Sequence, residues 1–365
     1  MKKTLLAIAV LGAFAGVASA QSSVTLSGTL DVNARYVKND GVSTNQLGTD
    51  GINSSQLVFS GIEDMGGGLK AGFVLNAGVN PDTGTTNTTA AGNSTQSKFF
   101  NRRSTVSLIS ASLGELRLGR DYVPAFWNLT IFDPFGTNGV GAFTNVITGG
   151  ALSVSAASTL VRADNSIGYY LPSGLGGFYG QAMVADGEGA VAPTQANNKH
   201  YGGRVGWASG PFDVAFGYAQ NEIPPNASVA TQEDFKFWSL GGSWNFGIGK
   251  VTGQYGEMEY STVKNKLYQV GLIVPLGVGE VHASYSANDG EGHIGARNYA
   301  PDNARQYALG YVHNLSKRTA LYTTYSHIEN DGLQRSLVNG NPSVVNAATR
   351  DVKSDGFEIG VRHFF

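Results

Sequence analysis

The chain has 365 residues, 50 glycines, no cysteine and a formal net charge of −2, and only 14% of its residues are charged. That charged fraction lies well below the ~25% of ordinary soluble domains, and the lack of a basic excess argues against a nucleic-acid partner. Since no disulfide can form, a chain of this length must be held together by hydrogen bonds and packing.

The first twenty residues predict a secretory signal peptide. Lys2 and Lys3 provide a positive start, Leu5 to Phe14 form a short apolar core, and Ala18-Ser19-Ala20 is a small-residue cleavage site. The apolar core is shorter than the ~20 residues that a membrane-spanning helix requires. We therefore expect residues 1–20 to be removed and residues 21–365 to form the mature protein outside the cytoplasm.

The mature sequence is dominated by a period of two. Between Val24 and Val37, apolar residues at even positions oppose polar residues such as Asp31, Asn33 and Arg35. This alternation predicts a strand with one face in an apolar medium and the other in water. The pattern recurs to the last residue and predicts sixteen strands, at 24–37, 54–62, 69–78, 99–110, 115–122, 163–172, 178–186, 199–208, 212–221, 234–246, 250–261, 265–276, 280–288, 304–315, 319–329 and 355–365.

The connections between these strands alternate in length. Seven short, mostly glycine-rich turns, such as 64–68 and 173–177, alternate with eight longer polar loops, such as 39–53 and 330–353. A soluble sandwich would show the same period of two, but the alternating connections, the low charge and the signal peptide favour a closed membrane barrel. The predicted fold is all-β, a 16-stranded antiparallel transmembrane β-barrel, and no helical periodicity is evident after the signal peptide.

Residues 121–162 form the third long loop and fit neither strand nor ordinary surface loop. Large apolar side chains cluster between Phe126 and Phe135, which argues against disorder. One interpretation is a loop that covers its own small cluster at the surface. The other is a loop folded into the lumen of the barrel, which it would narrow.

At this point the chain resembles the Gram-negative general bacterial porin family, the trimeric outer-membrane porins of the neisserial and betaproteobacterial type. The resemblance covers the whole mature chain and rests on segments that are specific when taken together: SSVTLSGTLDV, SGIEDMGGGLKAGF, NRRSTVSLIS, LGELRLGRDY, RADNSIGYYLPSGLGGF and the closing GVRHFF. It implies a long third loop folded into the lumen and a homotrimer. It also implies contact with outer-membrane lipids and lipopolysaccharide, and recognition of the C-terminal strand, ending in Phe365, by the barrel-assembly machinery.

The family fold implies a pore constriction in which a loop acid faces basic residues of the wall. The loop acid is Asp133, although an Asp before Pro also commonly caps a local turn. The basic wall consists of Arg35, Lys70, Arg102, Arg103 and Arg162.

Strand parity aims Arg103 and Arg162 into the lumen, whereas Arg102 has lipid-face parity and would reach the rim. Any single lumen arginine could instead be a solvated wall charge. The loop would pack on the wall through Phe126, Trp127, Phe132 and Phe135. Gln56 and Ser60 stand where the family often has arginines, which predicts a thinner basic cluster and a weaker anion preference.

No enzymatic motif accompanies this pattern. The six histidines share no motif, and HExxH, GxSxG and phosphate-binding loops are missing. We predict no enzyme activity, no cofactor and no structural metal, and we interpret the acidic loop residues as solvated charges rather than cation ligands. The predicted function is a passive diffusion channel for small hydrophilic solutes and ions; the alternatives are a substrate-specific channel and a barrel that serves mainly as an adhesin.

Overall fold

The computed structural model describes residues 23–86, 98–147, 160–187, 199–223, 233–294, 297–298, 302–338 and 349–365. The predicted signal peptide lies outside these residues. One sheet contains eighteen strands, and two of them, Val42–Thr49 and Thr85–Thr86, are short additions within loops. The remaining sixteen form the barrel, which closes because the first strand pairs antiparallel with the last, from Thr29↔Phe364 to Asn39↔Ser354.

The predicted fold class is therefore confirmed. The barrel strands are β1 (Ser23–Asn39), β2 (Gln56–Gly66), β3 (Leu69–Asn80), β4 (Arg103–Ser110), β5 (Gly114–Tyr122), β6 (Arg162–Tyr170), β7 (Phe178–Ala185), β8 (His200–Ser209), β9 (Phe212–Ile223), β10 (Glu233–Asn245), β11 (Lys250–Tyr260), β12 (Val263–Leu276), β13 (Gly279–Glu291), β14 (Asp302–Asn314), β15 (Thr319–Asp331) and β16 (Lys353–Phe364). Outside the barrel, His293–Ile294 pairs with Arg297–Asn298 in a small separate hairpin.

The two faces of the barrel are reversed relative to a soluble protein. On β1, Val24 is 71% and Leu26 57% exposed, while Asp31 and Asn33 of the opposite face are 0% and 1% exposed. An outward apolar face beside an inward polar face is the arrangement that a membrane barrel requires, since lipid surrounds it and water fills it. The period of two thus identifies the inner face of each strand.

Two details depart from the prediction. The sixth connection on the long-loop side is a two-residue turn, because β11 ends at Tyr260 and β12 begins at Val263. Two helices also occur after β5, α1 (Pro124–Ile131) and α2 (Thr144–Ile147). Helix α1 lacked a sequence signal because it is only eight residues long and apolar on almost every side. None of the helices within the described residues is long and apolar enough to cross a membrane.

Candidate functional site

The segment between β5 and β6, residues 123–161, is called the inner loop here, and the structure describes it over 123–147 and 160–161. It begins with Pro124 at the first position of α1, where the missing N–H costs no hydrogen bond. Buried Asn128 of this helix donates Nδ2–H bonds to the carbonyls of Ala215 on β9 (3.1 Å) and Ser239 on β10 (3.2 Å). Both acceptors belong to the inner face of the wall.

Four consecutive strands each hold the inner loop through one side-chain amide. Gln254 on β11 donates to the carbonyl of Leu129 at 3.3 Å, and Gln269 on β12 donates to the Asp133 carboxylate at 2.9 Å. Asn288 on β13 donates to the Val146 carbonyl, and Gln306 on β14 donates to the carbonyls of Gly141 and Ala142. An amide supplies donors without a net charge, so these four contacts hold the loop without adding a charge to the wall.

Glycines on the same wall let the loop approach the backbone closely. A Cβ added at Gly241 on β10 would lie 2.2 Å from a ring carbon of Phe132, and one at Gly271 on β12 would lie 2.1 Å from Cγ of Pro134. Carbon atoms in contact are separated by about 3.5–4.0 Å, so any side chain at these positions would displace the loop.

Asp133 belongs to this packing and not to the pore surface. The side chain is buried, and its two oxygens accept hydrogen bonds from the N–H groups of Phe135 (3.1 Å), Thr137 (2.8 Å) and Phe143 (3.0 Å), besides the one from Gln269. Burial raises the pKa of the Asp133 carboxyl, and these donors oppose the rise. The prediction of a loop acid facing the basic wall is therefore wrong for Asp133, and the alternative, a turn cap, matches its contacts.

The four predicted packing aromatics divide into two pairs. Phe132 is 0% and Phe135 5% exposed, and both rings lie between the loop and the wall. Phe126 and Trp127 are only half-buried and line a cavity of about 1570 Å³ beside the loop. Gln56 and Ser60 line this cavity as well.

Two arginines meet on one tyrosine at the edge of this cavity. Arg102 donates from Nε to the Tyr122 hydroxyl oxygen at 3.2 Å, and Arg162 donates from Nη2 to the same oxygen at 3.0 Å. The Arg162 guanidinium also lies over the Tyr122 ring, 4.4 Å from its centroid. Among the described residues, neither arginine forms a salt bridge with a carboxylate.

The position of Arg102 corrects the sequence-based assignment of its face. Strand parity predicts that the Arg102 side chain faces lipid. However, β4 begins only at Arg103, so the alternation of faces does not extend to Arg102. The residue sits in a bend before the strand and lines the cavity together with Arg103 and Arg162. Parity holds only where the ladder of hydrogen bonds fixes the pleat.

The other predicted bases are neutralised or lie elsewhere. Arg103 lies 3.6 Å from an Asp121 oxygen, and Arg35 forms a 2.9 Å salt bridge with buried Glu358. Lys70 is exposed in the second position of β3, beside the turn after β2, and does not line the cavity. Lys70 is therefore not a constriction residue. Strand parity predicted correctly which face of β3 carries Lys70, but parity does not predict how far along the barrel axis a residue lies.

The last residue completes the ring of strands. Phe365 and Gly28 exchange backbone hydrogen bonds of 3.0 and 3.1 Å, and the Phe365 side chain is 42% exposed. This pairs the chain end with β1, in line with the closure between β1 and β16.

Sequence reasoning missed several residues that hold the arginines of the wall in place. Tyr122 positions two arginines, Asp121 and Glu115 bind Arg117, and Glu358 binds Arg35. The amides of the wall carried one usable signal, which is inward parity on neighbouring strands. Within the described residues, no group of three or more metal-binding side chains occurs.

Comparison with known proteins gives a consistent result. The family model described as Gram-negative porin matches residues 7–333. The chain is 36% identical over an alignment of 374 residues to outer membrane porin protein 32 of Delftia acidovorans, and 30% identical over 420 residues to an outer membrane porin protein of Bordetella pertussis. Each alignment covers all of both chains.

Solved structures agree with this result. The anion-selective porin from Comamonas acidovorans is 34% identical and superposes with a TM-score of 0.76, covering 94% of this chain and 100% of its own. Salmonella typhi OmpF, at 17% identity and a TM-score of 0.65, covers 94% of this chain and 97% of its own, and shares the fold.

Proposed function

The chain belongs to the Gram-negative porin family and is a passive channel of the outer membrane, and we propose that this channel favours anions. The observation that carries the proposal is the pair Arg102 and Arg162, two guanidinium groups at the cavity edge without a carboxylate partner among the described residues. Basic groups that line a pore favour anions.

Four acids in or beside the lumen support this preference because each is already hydrogen-bonded, paired or buried. Asp121 holds Arg117 at 2.6 Å, Glu358 holds Arg35, and Asp133 is buried behind the loop. Asp50, which lines the cavity, accepts a 2.6 Å hydrogen bond from the Ser55 N–H. Among the described residues, none of these carboxylates forms a salt bridge with Arg102 or Arg162, so neither arginine is neutralised by them.

The inner loop is the element that we assign to the constriction, in place of a charge on Asp133. Its anchors lie on β9–β14, while Phe126 and Trp127 extend from it toward the arginine side. A solute would therefore pass between an aromatic edge and a basic wall. The anion-selective porin from Comamonas acidovorans, similar to this chain along its whole length, supports the assignment.

We also assign the oligomeric state and the lipid contacts by proposal. The outer face presents exposed apolar residues along most strands, with aromatics such as Phe178, Phe212 and Trp244 near the short turns. That composition suits the hydrocarbon and interface zones of a membrane. We propose a homotrimer surrounded by outer-membrane lipids and lipopolysaccharide, and recognition of Phe365 by the barrel-assembly machinery.

The test is the zero-current potential of the purified protein in a planar bilayer that separates two KCl concentrations. We expect the sign of an anion-preferring pore in the parent and a shift toward cations in Arg162→Ala. Lys70→Ala is the matched control, because it removes one basic group remote from the cavity and should shift the potential less. A cation-preferring parent, or equal shifts in both variants, would overturn the proposal.

A further inference from the structure

We propose that Arg102, Arg162, Tyr122, Phe126 and Trp127 form a weak binding site for aromatic carboxylates, solutes with one ring and one carboxylate. We call these five residues the arginine–aromatic site. The inference rests on the proposed function, because it assigns a preferred class of anion to the same part of the lumen. It differs from simple anion preference in requiring the rings as well as the charges.

The cationic half of the site is organised by a single oxygen. Both guanidinium groups donate to the Tyr122 hydroxyl, one from Nε of Arg102 and one from Nη2 of Arg162, which holds the two cations side by side. Each guanidinium has five N–H donors, and these two bonds use one donor of each. Nε of Arg162 is buried and has no hydrogen-bond partner within the described part of the chain. A carboxylate is the acceptor that such a planar, double-donor arrangement fits best.

The aromatic half lies directly beside the charges. Phe126 stacks on Tyr122 with ring centroids 5.9 Å apart and planes at 14°, and the Trp127 ring lies 5.4 Å from Tyr122 at 50°. Phe126 also packs on the buried cluster of the loop, which leaves Trp127 as the ring at the solute side.

Phe126 and Trp127 are partly exposed to the lumen, unlike the other aromatic rings of the loop. Phe132 and Phe135 of the same loop are buried, yet Phe126 and Trp127 are held half-exposed in a cavity that water fills. Within the described residues the Trp127 indole N–H donates no hydrogen bond. An apolar ring beside water is best covered by another apolar surface, and aromatic rings prefer offset or tilted ring partners.

The chemistry favours an aromatic acid over other anions. Phosphate or a small dicarboxylate would bind the guanidinium groups but leave the rings in water. An aliphatic acid of equal size would cover the rings without the ring–ring attraction. Weak binding is consistent with conduction, because a solute must leave a channel as readily as it enters.

The experiment compares two blockers of the same size and charge on single channels in KCl. Benzoate and cyclohexanecarboxylate each have a six-membered ring and one carboxylate, but only benzoate is aromatic. We expect benzoate to reach half-block at a concentration about threefold lower, the size of one ring–ring contact. Equal half-block concentrations in the parent channel would overturn the proposal.

Variants locate the site. Trp127→Leu and Phe126→Leu should each reduce the ratio of the two half-block concentrations toward one, whereas Trp244→Leu, on the outer face and 49% exposed, should keep the parent ratio. A ratio unchanged in Trp127→Leu would overturn the assignment. Because each variant is judged by its own ratio, an altered conductance does not obscure the result.

The anion preference of the proposed function is tested by a different measurement. The zero-current potential in KCl involves no aromatic solute, so a cation-preferring parent channel would refute the anion preference alone. The benzoate to cyclohexanecarboxylate ratio remains readable in that case and tests the rings separately.

Discussion

Two arginine–tyrosine pairs span the same two strands and end with opposite electrostatic roles. Arg162 of β6 lies 4.4 Å from the ring centroid of Tyr122 on β5, and Arg117 of β5 lies 3.9 Å from that of Tyr170 on β6. Arg117 is bound by Glu115 at 2.9 Å and by Asp121 at 2.6 Å. Within the described residues Arg162 forms no salt bridge with a carboxylate and shares the Tyr122 hydroxyl oxygen with Arg102.

This difference shows that the neighbouring acids, and not the arginine alone, decide the net charge that a passing ion experiences. A unit charge about 4 Å away contributes ~1 kcal/mol in water, or roughly fivefold in an equilibrium constant. The carboxylates around Arg117 cancel that attraction, while around Arg162 a second guanidinium adds to it. Counting basic residues in a porin sequence therefore overestimates the charge that acts on solutes.

The largest effect is expected when the unneutralised pair is removed. In Arg102→Gln with Arg162→Gln, the anion to cation permeability ratio should fall about tenfold, since two contributions of ~1 kcal/mol are lost and salt screens part of them. Zero-current potentials near 0.1 M salt measure this. The matched control is Arg117→Gln with Glu115→Gln, which removes a pair without net charge and should change the ratio far less; equal changes would break the comparison.

The next largest effect is expected when the neutralised arginines lose a carboxylate partner. This change should raise the anion preference. Asp121→Asn leaves Arg103 and Arg117 with one carboxylate fewer, so the anion preference should rise by up to about fivefold. The same bilayer measurement applies. Glu115→Gln, nearer the short turn, is the control and should raise the preference less. A fall in anion preference in Asp121→Asn would contradict the charge assignment.

The smallest effect is expected from Tyr122→Phe, which keeps both arginines and the ring but removes the oxygen that joins them. Losing two hydrogen bonds from charged donors lets the guanidinium groups move apart, and the anion preference should fall about twofold. Tyr170→Phe, which removes the hydroxyl that donates to Asp121 at 3.1 Å, is the matched variant on the other pair and should have little effect on selectivity. A fall in Tyr122→Phe as large as in the double arginine variant would mean that the hydroxyl, not the charge, carries selectivity.

The strands and their inner faces could be predicted because each depends on local alternation. Asp31 and Arg35 were assigned to the inner face by parity alone, and both are buried there. Parity failed at Arg102 because that residue precedes its strand, and it gave no height along the barrel for Lys70.

The sequence predicted where the inner loop lies in the chain, but it did not predict which residues the loop contacts. Gln269 binds Asp133 across 136 residues of sequence, and Asn288 binds Val146 across 142. No local pattern contains such pairs, so the burial of Asp133 could not be told from a charge facing water. The signal that remained unused was glycine at inward positions of the wall, as at Gly241 and Gly271, which marks where another backbone lies close.

The residues that anchor the loop and the two arginines come from different parts of the sequence, and this separation affects how the solute preference of such channels can change. The amide and glycine contacts come from residues 215–310, whereas Arg102 lies just before β4 and Arg162 at the start of β6, both N-terminal to that stretch. Recombination that exchanges residues 101–122 between related genes would replace Arg102 and Tyr122 together and leave these amides and glycines unchanged. We expect such an exchange to change the solute preference of a channel with this fold without changing the residues that hold the loop.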